Sequence, residues 1–292
     1  MTSRETQARV PQMRNVPLRP RAWRALLETP GAAIAEEEGG QVALVPQDGE
    51  LHLYWAFDSV EQMRRSFAPL FEMLKPSIKE DAADYVVLNL VEVHGKEWLE
   101  PILRDADFEF FAEWLEMAHP ALDPNSVPEF PAGVTMRRAK KGDLAWVREI
   151  WAQAYGDVAD GPRAIAEAVD SASWIGVLEG PDGVIGFAAN GAVEEAQGRV
   201  LTAAVAPEAR GNGFGTLLLR AAVYQLSTKD ARAATVIARP DVPQALRTCS
   251  AAGFRPGRAG LEYRRTTDED AIHEKREARR LAGVKARFGD WR

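Results

Sequence analysis

The chain is 292 residues long, 46% hydrophobic and 27% charged, with a formal net charge of −7. That is room for about two domains at ~100–200 residues each, and the charge excludes a global basic field for nucleic acid or an anionic membrane. One cysteine excludes an internal disulfide framework and a thiolate zinc site; the four histidines (His52, His94, His119, His273) stand without ligand spacing, so no metal is expected.

The N-terminal stretch "MTSRETQARVPQMRNV" has no apolar run of a secretory signal. The longest apolar stretches, "YVVLNLV" and "VLTAAVA", fall far short of the ~20 residues that span a bilayer, so a cytoplasmic location is expected. In chain order, "RPRAWRALLET" reads as a helix, "AAIAEEEGGQVALVP" as a hairpin and "ELHLYWAF" as a strand. "SVEQMRRSFAPLFEML" is a helix, "DYVVLNLVE" a buried strand, and "EWLEPILRDADF" a helix running into Phe108. "HPALDPNSVPEFPAG" follows with Pro120, Pro124, Pro128 and Pro131, which forbid continuous helix and mark a linker.

After it, "GVTMRRA" alternates as a strand, and "GDLAWVREIWAQAYG" is an amphipathic helix with Asp143 at its N-cap position. "GPRAIAEAVDS" is a second helix with Pro162 in its first turn. Two strands, "SWIGVLE" and "GVIGFAAN", are joined by "GPDG", and "GRVLTAAVA" is a third. A glycine-rich turn leads into a helix from about Gly215 to Leu226. "AATVIAR" is a buried strand, "VPQALRTCSAAG" a helix ending on Gly253, and "LEYRR" a last strand. The tail "DEDAIHEKREARRLAGVKARF" reads as a helix with acids first and bases later, an order the helix dipole favours.

The two halves run in similar order. Phe108 and Phe254 stand 146 residues apart, and Phe57 and Val205 148, an offset near half the chain that points to a duplicated domain. The expected division is residues 1–130, 131–267 and a helical tail, 268–292.

The turn "RGNGFGT" (210–216) is the most specific motif. Glycines at 211, 213 and 215 suit a backbone that turns tightly or approaches a ligand closely. A Walker A loop needs Gly-Lys-Ser/Thr at its end, and Gly215 is followed by Thr216. A Rossmann fingerprint needs a third glycine where Thr216 stands, in an early βαβ unit. What remains is a strand, a short turn, and Arg-x-x-Gly-x-Gly opening a helix.

That spacing, with "VAP" before it and "AAGF" after the following strand and helix, resembles motif A of the GNAT superfamily of N-acetyltransferases. The resemblance covers roughly residues 131–266. It implies an α/β (α+β) fold of two tandem GNAT-like domains, each a mixed, mostly antiparallel sheet flanked by helices. It also implies acetyl transfer from acetyl-coenzyme A to an amine of a small molecule or a peptide N-terminus, without a metal. A helix N-terminus offers unpaired N–H groups and partial positive charge to a pyrophosphate. The matching positions are Arg210, Gly211, Asn212, Gly213, Phe214, Gly215 and Thr216; the backbone of Ala203, Ala204 and Val205 matches the strand that pairs with the pantetheine amides.

Two family positions depart from the pattern. A tyrosine acting as general acid commonly stands four residues before the Gly-Phe pair, where this chain has Cys249; an asparagine that opens the same helix is replaced near Val242. Cys249 is therefore the catalytic candidate, with packing on the inner face of its helix as the other reading. Asp157, Asp160, Glu194 and Glu195 lie in segments that border an acceptor groove, and each also reads as a solvated carboxylate. The first half has "VEQMRRSF" (60–67) in place of the glycine turn and "DADF" in place of "AAGF", so it reads as a degenerate domain that has lost its cofactor loop. A mycothiol synthase-like enzyme and a non-catalytic acyl-coenzyme A-binding module remain as alternatives.

Overall fold

The computed structural model describes residues 13–47, 49–78, 83–91, 96–155, 162–181 and 183–288. The first half runs β1 (Met13–Arg14), α1 (Pro20–Leu27), β2 (Ala33–Glu37), β3 (Gly40–Gln47), β4 (Glu50–Phe57), α2 (Val60–Leu74), β5 (Tyr85–Val91), α3 (Glu100–Asp105) and β6 (Glu109–His119). Then come β7 (Thr135–Arg138), α4 (Leu144–Tyr155), α5 (Pro162–Ser171), β8 (Trp174–Gly180), β9 (Gly183–Asn190) and β10 (Gln197–Val205). The chain ends α6 (Phe214–Ser227), β11 (Ala233–Ala238), α7 (Pro243–Ala251), β12 (Arg255–Thr266) and α8 (Glu269–Phe288).

Two compact units emerge: Met1–Phe111 together with Glu262–Arg292, and Ala112–Leu261. This division differs from the expected cuts at 130/131 and 267/268, and the reason is strand pairing. β6 closes the first half of the sequence, yet from Leu115 to His119 it pairs antiparallel with β11 of the second unit. β12 closes the second half, and Thr267 just beyond it binds the start of β5, its Oγ1 donating to the Ala83 carbonyl at 2.7 Å. The proline-rich stretch has no helix or strand between β6 and β7, as expected, but it belongs to the second unit. Leu122 and Phe130 pack against that unit's core, and the Leu122 N–H donates to the Arg232 carbonyl at 2.9 Å.

In the first unit the strands run in the order β2-β3-β4-β5, with β4 and β5 parallel and the others antiparallel. α2 turns Met63, Phe67, Leu70 and Phe71 inward, a 3.6-residue periodicity that buries one stripe. Phe67 and Phe71 stack at 6.0 Å, and Phe71 meets Phe108 at 5.5 Å. The tail helix α8 belongs to this unit: Arg276 and Arg279 both bond the carboxylate of Asp107.

In the second unit the order is β6-β11-β10-β9-β8-β7. One face carries Leu178, Ala188, Val200 and Val236 into a core with Leu218 and Ala222 of α6 and Cys249 of α7. The other carries Ile175, Val177, Phe187 and Ala189 against Val147, Ile150 and Trp151 of α4 and Ile165 and Val169 of α5. Helices on both faces explain why "VLTAAVA" is continuously apolar where a half-exposed strand would alternate. Asp143 precedes α4 as expected, but its carboxylate turns back: Oδ2 accepts the Lys140 N–H at 2.6 Å and both oxygens take the Arg137 guanidinium.

Candidate acyl-coenzyme A site

The site grows from a parting of two strands. β10 pairs antiparallel with β9 as far as Val205, but parallel with β11 only from Gln197 to Val200. Both strands continue, β11 to Ala238, so residues 201–205 lie beyond the β11 ladder. The β9 register shifts between Val200 and Thr202, a bulge at the very point where the parallel ladder stops. A bulge bends its strand and raises the local twist, which carries β10 away from β11. Ala203, Ala204 and Val205 occupy the parted stretch, where main-chain groups on the β11 side are left to a ligand or to water.

Beyond Val205 the chain makes a 3-10 turn over Pro207–Ala209 and the glycine turn, then enters α6. Gly211 (φ +84) and Gly213 (φ +79) are left-handed, a conformation costly to residues with a Cβ. A Cβ added at either would meet nothing within 4 Å, so the space in front of them is open. Gly213 is the N-cap of α6 and no side chain caps the helix. Its first-turn N–H groups have no intrahelical acceptors, so they and the dipole face this open space. That is the geometry an anion needs. Gly215 serves another purpose: a Cβ there would come within 3.1 Å of Thr248 Cγ2, so this glycine lets α6 lie close to α7.

The other expected positions support the turn. Arg210 is exposed and its Nε donates to the Val205 carbonyl at 3.1 Å, which ties the guanidinium to the mouth of the parting. Asn212 folds back, its Nδ2 donating to the Ala209 carbonyl at 3.2 Å. Phe214 packs against the core under α6, and Thr216 is half-buried in the first turn.

The catalytic candidate lies elsewhere in character. Cys249 is 5% exposed and packed in the core with Leu218, Ala252 and Phe254. Burial pushes its thiol up to about 11, so the group keeps its proton at neutral pH. Glu194 and Glu195 are exposed in the turn before β10, at the end opposite the glycines, roughly 30 Å along the strand at ~3.3 Å per residue. They do not converge on the parting. Asp157 and Asp160 lie outside the described residues. Two hollows, of 510 and 260 Å³, border the C-terminal end of α6 at Ser227 and Thr228. Neither touches the glycine turn, and an extended ligand laid along a strand needs a notch rather than a closed cavity.

Sequence reasoning missed the bulge at Leu201 and the Arg210–Val205 contact. Nothing in "RVLTAAV" marks which residue is extra, because the strand is apolar on both faces. Among the described residues no group of three or more metal-ligating side chains occurs, and no helix is long and apolar enough to cross a membrane.

Residues 143–254 match the acetyltransferase (GNAT) family. No curated protein matches the sequence. Solved structures do match the fold. A GCN5-related N-acetyltransferase from Kribbella flavida is similar with a TM-score of 0.57 at 17% identity, over 83% of this chain and 92% of that one. A GCN5-related N-acetyltransferase from Sphaerobacter thermophilus scores 0.55 at 16% identity, over 79% and 78%. A tandem GNAT protein from the clavulanic acid biosynthesis pathway, solved without acetyl-coenzyme A, scores 0.54 at 14% identity, over 82% and 84%. A mixed α/β fold of mostly antiparallel sheet flanked by helices is thus shared with these structures, a tandem GNAT protein among them. The family match thus falls within the second unit, over residues 143–254.

Proposed function

We propose that the second unit moves an acetyl group from acetyl-coenzyme A to an amine of a small molecule or a peptide N-terminus. The single observation that supports this most is the coincidence of the β10–β11 parting with the uncapped, left-handed start of α6. When bound, the donor supplies the thioester. The first-turn N–H groups of α6 receive its phosphate oxygens, and Arg210 adds positive charge beside them. The backbone of Ala203, Ala204 and Val205 pairs with the pantetheine amides, and an N–H near Val205 donates to the thioester carbonyl as charge develops on its oxygen. The amine is held in line for direct attack, a role that asks chiefly for position.

We assign Cys249 to packing, on its burial and its retained proton. This also favours a second reading, an acyl-coenzyme A-binding module without turnover, since no exposed acid stands where the family places tyrosine. One assay separates the two: incubation with acetyl-coenzyme A and a panel of amines, following free coenzyme A. Release that depends on an amine supports transfer; tight binding with no release under any amine supports the module.

A further inference from the structure

The first unit has the same parting and fills it with its own chain. β4 and β5 pair in parallel only at Leu51–Val86 and His52–Val87, although β4 runs to Phe57 and β5 to Val91. Their ladder stops at His52 and that of the second unit at Val200, 148 residues on, the spacing of the internal repeat. Into the gap comes the N-terminal segment. β1 pairs with β4, Met13 opposite Phe57 and Arg14 opposite Ala56. Asn15 follows, wholly buried.

Asn15 bridges both strands. Its Nδ2 donates to the Leu53 carbonyl at 2.9 Å and to the Asn89 carbonyl at 3.1 Å. Its Oδ1 accepts the Trp55 N–H at 2.9 Å, and its main-chain carbonyl accepts the Val91 N–H at 2.9 Å. A carboxamide is the one uncharged side-chain group with two donors and an acceptor in a plane, so Asn meets this demand where Asp or Leu does not. Arg14 secures the segment: its guanidinium lies over the Trp23 ring at 4.8 Å and bonds the Leu18 carbonyl at 2.6 Å. By the repeat, Trp55 corresponds to Ala203, so the N–H satisfied by Asn15 is the counterpart of one assigned to a pantetheine amide.

The phosphate end is closed as well. Ser59 caps α2, its Oγ accepting the Gln62 N–H at 3.1 Å, and Glu61 stands in the first turn. Gln62 also bonds Glu37 and the Glu38 carbonyl. A capped helix start beside acidic side chains repels a pyrophosphate.

We propose that Asn15, the residue that follows strand β1, is an internal ligand that replaces the pantetheine amides in the first unit and leaves the chain with one acyl-coenzyme A site. The count of one rests on the function proposed above; the occupancy by Asn15 does not.

Two measurements on the full chain separate them. Hydrogen exchange should find the Trp55 and Val91 amides as slow as ladder amides such as Val42. Exchange at loop rates overturns the proposal, whatever the variants do. Asn15→Leu should speed exchange at Trp55 at least tenfold with Ala188 in β9 unaffected. Unchanged protection in Asn15→Leu also overturns it. Calorimetric titration of the wild-type chain with acetyl-coenzyme A should give one site. Two sites overturn the internal ligand; none, with slow exchange intact, overturns the proposed function alone.

Discussion

At the scale of single residues, the three glycines of the turn divide by what each lacks a side chain for. Gly211 and Gly213 need a left-handed backbone, and Gly215 needs contact with Thr248. Their presence was plain in the sequence, but the division was not, because φ and the neighbour across a helix pair are tertiary facts. It changes the choice of test. Gly213→Val combines a blocked anion site with backbone strain, whereas Gly213→Asn tolerates positive φ and places its Cβ in the open space. Gly213→Asn is expected to weaken acetyl-coenzyme A about a hundredfold, from two lost charge-assisted hydrogen bonds at ~1.5 kcal/mol each, with a nearly normal melt. Gly213→Val should lose affinity and melt early. Arg65→Val, on the exposed face of α2, is the control and should change neither. Affinity by calorimetry and melting by scanning calorimetry check all three; full affinity in Gly213→Asn would make the turn only a turn.

Cys249 shows the opposite case, a position legible only through a family pattern that it breaks. Its surroundings fit the packing reading proposed above. A thiol at about 11 in an apolar core is held by volume. Cys249→Ala is expected to cost roughly 1 kcal/mol of stability for one removed buried sulfur and to leave turnover within about twofold. A large fall in turnover with affinity and melting unchanged would return the residue to chemistry.

At the scale of elements, strands and helices with a clear period were legible and the irregular ones were not. β6 went unread because "EFFAEWLEMAH" places aromatics at both strand and helix spacing. The repeat held the answer, since 146 residues before β12 lies β6. The bulge in β10 had no signal at all. The start of α4 was read correctly in place and wrongly in chemistry, since Asp143 serves Arg137 and Lys140. The Arg137 guanidinium, and after it the Lys140 N–H, hold the Asp143 carboxyl down at about 2; Arg137 also draws Glu179 below its usual range. A carboxyl depressed in the folded state adds stability above its unfolded pKa, ~3.9, and loses it as pH falls through the folded value. The deficit of Arg137→Gln against wild type should therefore be full at pH 6, shrink below pH 4 and vanish only below pH 2. Melting temperatures across that range check it; a deficit constant with pH would show the guanidinium acting through packing alone.

At the scale of the whole molecule, the constant offset points to duplication, and the contact units divide the chain at other positions than its composition does. Composition marks a proline-rich linker, while contact division follows hydrogen-bonded strands, and β6 and β12 carry the chain past the composition boundary. The first unit is consequently built from both ends of the sequence, with β1 in its parted strands and α8 on its surface. The hold on α8 is concentrated at Asp107, whose side chain is 3% exposed and whose φ is +63. Arg276 reaches it through Nε at 3.0 Å and Nη2 at 2.5 Å, and Arg279 through Nη2 at 3.2 Å. Lys275–Glu109 adds an exposed pair. Asp107→Asn keeps the left-handed backbone and one acceptor but removes the charge. The arginines are 52% and 39% exposed, so the loss should be near ~1–2 kcal/mol, between a surface and a buried ion pair. α8 is rich in arginine and lysine, so limited trypsin digestion reads its release directly. Cleavage within residues 269–288 should quicken several-fold in Asp107→Asn, with acetyl-coenzyme A affinity unchanged because the glycine turn belongs to the other unit. A tail that is merely appended would be cut at the wild-type rate in both proteins, and the sequence-based boundary at 267/268 would then describe the molecule better than its contacts do.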